Sequence, residues 1–186
     1  MTTDFQPEFA TLRDGTTVTL RAIRPDDGPR LQALFYRLSP ESVYLRFLQS
    51  RKSVTDQEAT VLATVDYQRR MAMVATIQDA HSSDELVIGV ARYAALEAPR
   101  SDVAEAAIVV EDAYQRKGLG KLLADRLAEY ARAHGIQTFL AEVSLDNMRM
   151  IEFIRRTGLP VKSKLESGVW ELRVGLEDSV EDADKH

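Results

Sequence analysis

The chain has 186 residues, 45% of them hydrophobic and 28% charged, with a formal net charge of −5 and no cysteine. That length suits one domain with a full core. The negative balance, without any basic stripe interleaved with aromatics, excludes a general affinity for nucleic acid. The lack of cysteine rules out disulfides, thiolate nucleophiles and thiolate metal sites, and suits a reducing cytoplasm.

Residues 1–10 carry Asp4 and Glu8 and no apolar run behind basic residues, so no signal peptide is expected. The apolar stretch 106–110 is far too short to cross a bilayer, so no membrane association is expected. His81, His134 and His186 sit in unrelated contexts without ligand spacing, and no metal is expected.

In chain order, residues 1–14 read as an irregular arm. Residues 16–23 set Val18, Leu20 and Ala22 against Thr17, Thr19 and Arg21 behind the turn Asp14-Gly15, a strand signature. Pro25-Asp26-Asp27 opens a helix carrying Leu31, Leu34 and Phe35. Ser39-Pro40-Glu41-Ser42 opens a second, with Tyr44, Leu45 and Phe47. Thr55-Asp56-Gln57-Glu58 is a capping box before a third, with Ala59, Leu62 and Ala63 on one side.

Residues 71–77 and 86–96 are strands joined by the polar turn His81-Ser82-Ser83-Asp84-Glu85, and residues 103–110 form another. A long amphipathic helix follows. Leu119, Leu122, Leu123, Leu127, Tyr130 and Ala131 form its apolar stripe, Lys121, Asp125, Glu129 and Arg132 face away, and Gly135 ends it. Residues 138–143 are strand, 147–157 helix stopped by Gly158, and 161–164 and 169–174 a closing hairpin. The acidic residues 177–186 read as a disordered tail. The order predicts an α/β domain over 15–176, a mixed sheet with helices on both faces.

The segment with most chemical content runs from Val109 through Gln115-Arg116-Lys117-Gly118-Leu119-Gly120-Lys121, a strand entering a glycine-bearing turn that starts the long helix. Main-chain N–H groups at a helix start lack intrahelical partners, and the helix dipole adds positive charge there. Such a turn can hold a diphosphate. Gly118 and Gly120 let phosphate approach the main chain, and Arg116, Lys117 and Lys121 add positive charge. A nucleotide-triphosphate loop is excluded because Gly-x-x-x-x-Gly-Lys-Ser/Thr is absent, and the dinucleotide fingerprint fails at Leu123. Two glycines alone leave an ordinary helix start equally open.

Gln115-Arg116-Lys117-Gly118-Leu119-Gly120 resembles the Gln/Arg-x-x-Gly-x-Gly/Ala signature of the GNAT family of N-acetyltransferases. The resemblance continues through Asn147 after the next strand and through Gly158-Leu159, where the family usually has Gly-Phe. It implies a mostly antiparallel sheet of six to seven strands, splayed centrally to receive the pantetheine of acetyl-CoA. On this resemblance Val109 and Val110 offer main-chain groups to that arm, Gln115, Arg116, Lys117, Gly118, Leu119, Gly120 and Lys121 hold the pyrophosphate, and Asn147 bonds near the pantetheine. Ile108, Met150 and Phe153 are assigned to the same cofactor. A plain helix cap remains open for Asn147.

Acetyl transfer to an amine needs a base to take the ammonium proton. Glu105 is the candidate, a carboxylate in the otherwise apolar run 103–110, where burial would raise its pKa. Placement at an exposed strand end, or pairing with Arg92 or Arg21, is the alternative. Ala104-Glu105-Ala106-Ala107-Ile108-Val109-Val110, with Arg24-Pro25-Asp26-Asp27 and the segment from Leu38-Ser39-Pro40 to Arg46-Phe47, is similar to bacterial Pat-type protein lysine acetyltransferases. There a glutamate on this strand is the base and the acceptor is a protein lysine, as on acyl-CoA synthetases. The tyrosine that many family members place seven residues after the asparagine is Ile154 here, so a tyrosine general acid is excluded at that point. Tyr44 and Arg46 lie where the family shapes its acceptor site, although a packed aromatic and a surface ion pair are equally open. Acetylation of a small amine and a non-catalytic acetyl-CoA-binding module are the rival functions.

Overall fold

A computed structural model describes residues 3–80 and 83–177. Its elements in chain order are β1 (Glu8–Thr11), β2 (Thr17–Ala22), α1 (Gly28–Arg37), α2 (Pro40–Phe47), α3 (Asp56–Ala63), β3 (Arg70–Gln78), β4 (Glu85–Ala95), β5 (Val103–Val110), α4 (Leu119–Ala133), β6 (Thr138–Ser144), α5 (Met148–Arg155), β7 (Val161–Glu166) and β8 (Val169–Gly175). The strands form one sheet in the order β1-β2-β3-β4-β5-β6-β8-β7. Only β5 and β6 are parallel, as a crossover through α4 requires.

The sheet has eight strands rather than six or seven. The additional one is β1, inside the expected irregular arm, where Glu8 to Thr11 pair with Leu20 to Thr17. It was illegible because four residues of mixed polarity at a sheet edge bury little and carry no period. The expected cap signals do form. The Ser39 hydroxyl accepts from the Ser42 N–H, and Thr55 and Glu58 cap each other reciprocally. Pro25–Asp27 is a separate 3-10 turn ahead of α1. The turn residues His81 and Ser82, and the acidic tail from residue 178 onward, lie outside the described residues. No helix among the described residues is long and apolar enough to cross a membrane.

The two faces are filled differently. Leu119, Leu123 and Leu127 of α4 lie against the back, where a Cβ on Gly89 would come within 3.1 Å of Leu123, so the strand–helix approach needs that glycine. The front of β2 to β5 is covered by α1, α2 and α3. Past β5, a second small core of Val143, Ile151, Ile154, Leu172 and Val174 forms under α5 on the back.

The front face is anchored by a buried charge cluster. The Arg21 guanidinium, 2% exposed, donates bidentately to the fully buried Asp27 at 2.7 and 2.9 Å and reaches Glu85 at 2.9 Å. Asp27 also accepts from the Arg24 N–H at 2.8 Å and from Arg30 at 3.2 Å. Burial by itself would raise the Asp27 pKa; the bonds from Arg21 and Arg24 and the charges of Arg21 and Arg30 outweigh it and hold the carboxyl below the ordinary range. A depressed carboxyl pKa stabilises the fold above the unfolded value and loses that contribution as pH falls through the folded one. Asp27→Asn removes the bidentate partner of Arg21 and leaves Glu85, at 2.9 Å, as its remaining counter-charge; a loss of about 3 kcal/mol is expected in urea unfolding at neutral pH. The difference from the native protein should shrink as the pH is lowered below the carboxylate range; a gap that is constant with pH would remove the ionic explanation.

Candidate active site

The pairing of β5 with β6 stops early. Val103, Ala104 and Glu105 pair with Thr138, Phe139 and Leu140, and no pair follows, while β4 stays paired with β5 as far as Val110 and β8 with β6 as far as Ser144. The two half-sheets therefore diverge from Glu105 and Leu140 onward. In an antiparallel ladder, main-chain groups point alternately to one neighbour and the other. Leu96 N–H bonds to the Val103 carbonyl and Glu111 N–H to the Ile88 carbonyl, so odd-numbered residues of β5 face β4. Val109, expected to offer its main chain to the ligand, is thus spent on Val90. Ile108 and Val110 are turned into the gap, and the Val110 carbonyl is taken at 3.0 Å by the Gln115 side chain.

Behind the gap, between α4 and α5, lies a cavity of about 390 Å³. Its walls include Ile108, Met150, Phe153 and Lys121, which the sequence nominated, and Ala106, Ala124, Ala128 and Ala141, whose short side chains leave it open. Ile154 also lines it, buried in the second core.

At the outer end of the gap, Gly118 caps α4 with φ +95° and Arg116 stands at φ +62°, so the chain turns sharply into the helix. Among the described residues, no main-chain N–H of 116–121 donates to a main-chain carbonyl; the first to do so is Leu122, to Gly118 at 3.1 Å. The amides that the sequence assigned to phosphate are therefore available. Not every side chain is. Leu119 is fully buried against the sheet and contributes only its N–H. Lys117 pairs with Asp14 at 2.8 Å and lies 5.1 Å from the Tyr114 ring centroid, and Lys121 pairs with Asp125 at 2.6 Å. The hydrogen bond from Lys117 is the main reason the Asp14 carboxyl falls to about 2. Arg116 is exposed and has no ion pair among the described residues.

Gln115 acts differently from the expectation. Besides Val110, its amide bonds to the Ser42 hydroxyl at 3.1 Å, so it ties the loop to α2. Asp112 reinforces the tie, accepting from the Ser39 N–H at 2.9 Å, the Ser39 hydroxyl at 2.7 Å and the Ser42 hydroxyl at 2.8 Å. Glu111 pairs with Arg37 of α1 at 2.9 Å. No local pattern marks these acids for such a role, because their partners lie some seventy residues away. Asn147 caps α5, its Oδ1 accepting from the Met150 N–H at 3.1 Å. The cap leaves its amide NH₂ without a partner among the described residues.

Glu105 overturns part of its own argument. Cross-strand partners share a face, so Glu105, opposite Ala94, stands on the front with Arg92 and the α1–α3 layer. It is exposed, not buried, and pairs with neither Arg92 nor Arg21. The burial expected for it is therefore missing. Its position is nonetheless singular, at the last residue before the half-sheets part.

Residues 39–159 match the model of the acetyltransferase (GNAT) family. The chain belongs to the GNAT family. An acetyltransferase of Pseudomonas aeruginosa is 34% identical over 140 residues, 75% of this chain and 73% of that one. Acetyltransferase Pat of Mycolicibacterium smegmatis is 33% identical over 147 residues, which cover 79% of this chain and 42% of that protein. The GNAT domain of the Streptomyces lividans Pat protein superposes with a TM-score of 0.81 at 31% identity, covering 91% of this chain and 96% of that domain. This GNAT protein is thus an N-acetyltransferase with the family's open α/β sheet.

The two loop glycines separate by experiment. Gly118 holds a left-handed conformation, so Gly118→Ala should cost about 1 kcal/mol in thermal or urea unfolding. A Cβ on Gly120 would meet nothing nearer than Val110 at 4.0 Å. Gly120→Ala should therefore be neutral or stabilising by up to about 1 kcal/mol; equal losses at both positions would refute this division.

Proposed function

We propose that this GNAT protein transfers the acetyl group of acetyl-CoA to lysine side chains on a protein, with Glu105 as the general base. Acetyl-CoA supplies the activated acetyl group as a thioester. The amides of 116–121, the positive helix end and Arg116 suit its diphosphate. The apolar cavity beside Ile108, Met150 and Phe153 suits the pantetheine, and the Ile108 main chain, turned into the gap, and the Asn147 amide can offer it polar groups.

The observation that carries the reading is an accessible carboxylate at the point where the strands part. Glu105 takes a proton from the incoming ammonium, and the amine so freed is the nucleophile. The Val110 N–H, turned into the gap, is the candidate donor to the carbonyl under attack. With Ile154 at that position, no side chain there can protonate the departing thiolate, which leaves with help from main-chain N–H groups and takes its proton from solvent.

A protein acceptor is favoured by the open front of the outer half-sheet. Among the described residues no helix covers that face past β5, and Glu142, Lys162 and Lys164 lie exposed on it. A flat, uncovered surface beside the base admits a lysine presented on a folded partner, and the likeness to Pat proteins points the same way.

Glu105 is exposed and its side chain makes no ion pair or hydrogen bond among the described residues, so Glu105→Gln should fold normally. Turnover should fall about 10²–10⁴-fold with acetyl-CoA affinity nearly intact, measured by steady-state kinetics and calorimetry on protein acceptors such as acyl-CoA synthetases. Unchanged turnover would remove Glu105 as the base. Gly120→Glu places bulk and negative charge among the loop amides and should abolish the thermal stabilisation conferred by acetyl-CoA; normal affinity in that variant would count against the loop.

A further inference from the structure

The front face beside Glu105 carries a charge imbalance that the transfer chemistry does not use. Arg92 on β4 and Arg46 on α2 are both partly buried under the α1–α3 layer. Arg92 donates to the Leu62 carbonyl at 2.9 Å, and the Arg46 guanidinium lies 4.9 Å from the Phe47 ring centroid. Neither forms an ion pair with a described carboxylate.

The neighbouring acids are committed elsewhere: Asp27 and Glu85 to Arg21, Glu58 to Arg51, Asp66 to Arg70 and Glu111 to Arg37. Glu105, diagonal to Arg92 across the β4–β5 ladder, stays exposed without an ion pair among the described residues. Burial, reinforced by the charges of Arg46 and Arg70, pushes Arg92 down to about 10, and burial lowers Arg46. Both remain charged at neutral pH. Two desolvated cations that repel each other and lack a counter-charge are costly unless an anion joins them. The loop amides that suit a diphosphate open at the outer end of the gap, and the cavity lies behind the sheet, so coenzyme phosphates do not answer for a cation pair under the front layer.

We propose that Arg46 and Arg92 bind a carboxylate carried by the acceptor close to its reacting amine, so that this enzyme selects amines with an acidic neighbour. The inference rests on the acetyltransferase reading and on Glu105 marking the side from which the acceptor enters. Arg92 lies on the same sheet face as Glu105, one strand inward and diagonal to it, a separation of about 7–8 Å and somewhat less between Cβ atoms. A lysine whose ammonium meets Glu105 therefore places a flanking Asp or Glu within reach of the guanidinium. The α-carboxylate of a free amino acid offers the same chemistry.

The test compares acceptors in matched pairs with the full chain: lysine peptides with Glu or Asp beside the lysine against their Gln or Asn counterparts, and free lysine against lysine amide. The acidic member of at least one pair should have the higher kcat/KM by about tenfold, the worth of a charge-assisted contact. The peptide and free-amino-acid pairs distinguish the two sources. Arg46→Gln, which breaks no hydrogen bond, should bring that ratio close to one, and Arg92→Gln should do the same if it folds. A native ratio near one in every pair, or a preference that survives Arg46→Gln, overturns the proposal. Independently of turnover, titration with glutarate should move the Arg46 and Arg92 Nε–H NMR signals, while glutaramide leaves them in place. If no acceptor is acetylated the acetyltransferase reading fails by itself, and the glutarate titration still decides the cation site: no shift there ends it.

Discussion

The structure turns on a ladder that stops after three residue pairs. Up to Glu105 and Leu140 the sheet is continuous; beyond them β5 keeps only β4 and β6 keeps only β8. Unpaired main-chain groups inside a protein carry a large cost unless water or a ligand satisfies them. The two half-sheets accept it because each has its own core. The larger lies between α1–α3, the inner strands and α4, and the smaller between α5 and the outer strands. Neither core needs the missing ladder to close.

Much of this was legible in the sequence because the signals were local. The alternation of residues 16–23, the stripe from Leu119 to Ala131, and the caps at Ser39 and Thr55 each encode an element within a few residues. The Gly118 turn was legible for the same reason, since a left-handed helix cap calls for glycine. What escaped depends on distance. The β1 strand exists because β2 offers it an edge, and Gln115, Asp112 and Glu111 owe their roles to α1 and α2, dozens of residues away.

The misreading of Glu105 is more instructive. A carboxylate within the apolar run 103–110 argues for burial only if the strand has covered neighbours along its whole length. Strand pattern reports which residues share a face, not where a ladder ends. Glu105 stands out of the front face at the last paired residue, and the same residue that looked costly is exposed. An open strand edge thereby brings two things together: main-chain groups released from the ladder and a carboxylate without an ion pair among the described residues.

The fastening of α2 to the loop through Asp112 and Gln115 bears on how the two sides of the sheet cooperate. The loop amides open at the outer end of the gap, whereas α2 lies on the front. One acid and one amide hold both to the same turn, so the position of α2, with Tyr44 and Arg46 on it, is fixed relative to the phosphate-type loop. A transfer reaction requires its donor and acceptor to be held in register to within fractions of an ångström. In the proposed reaction that register would pass through four hydrogen bonds at the base of the loop, rather than through the thin edge of the sheet where the strands have already parted.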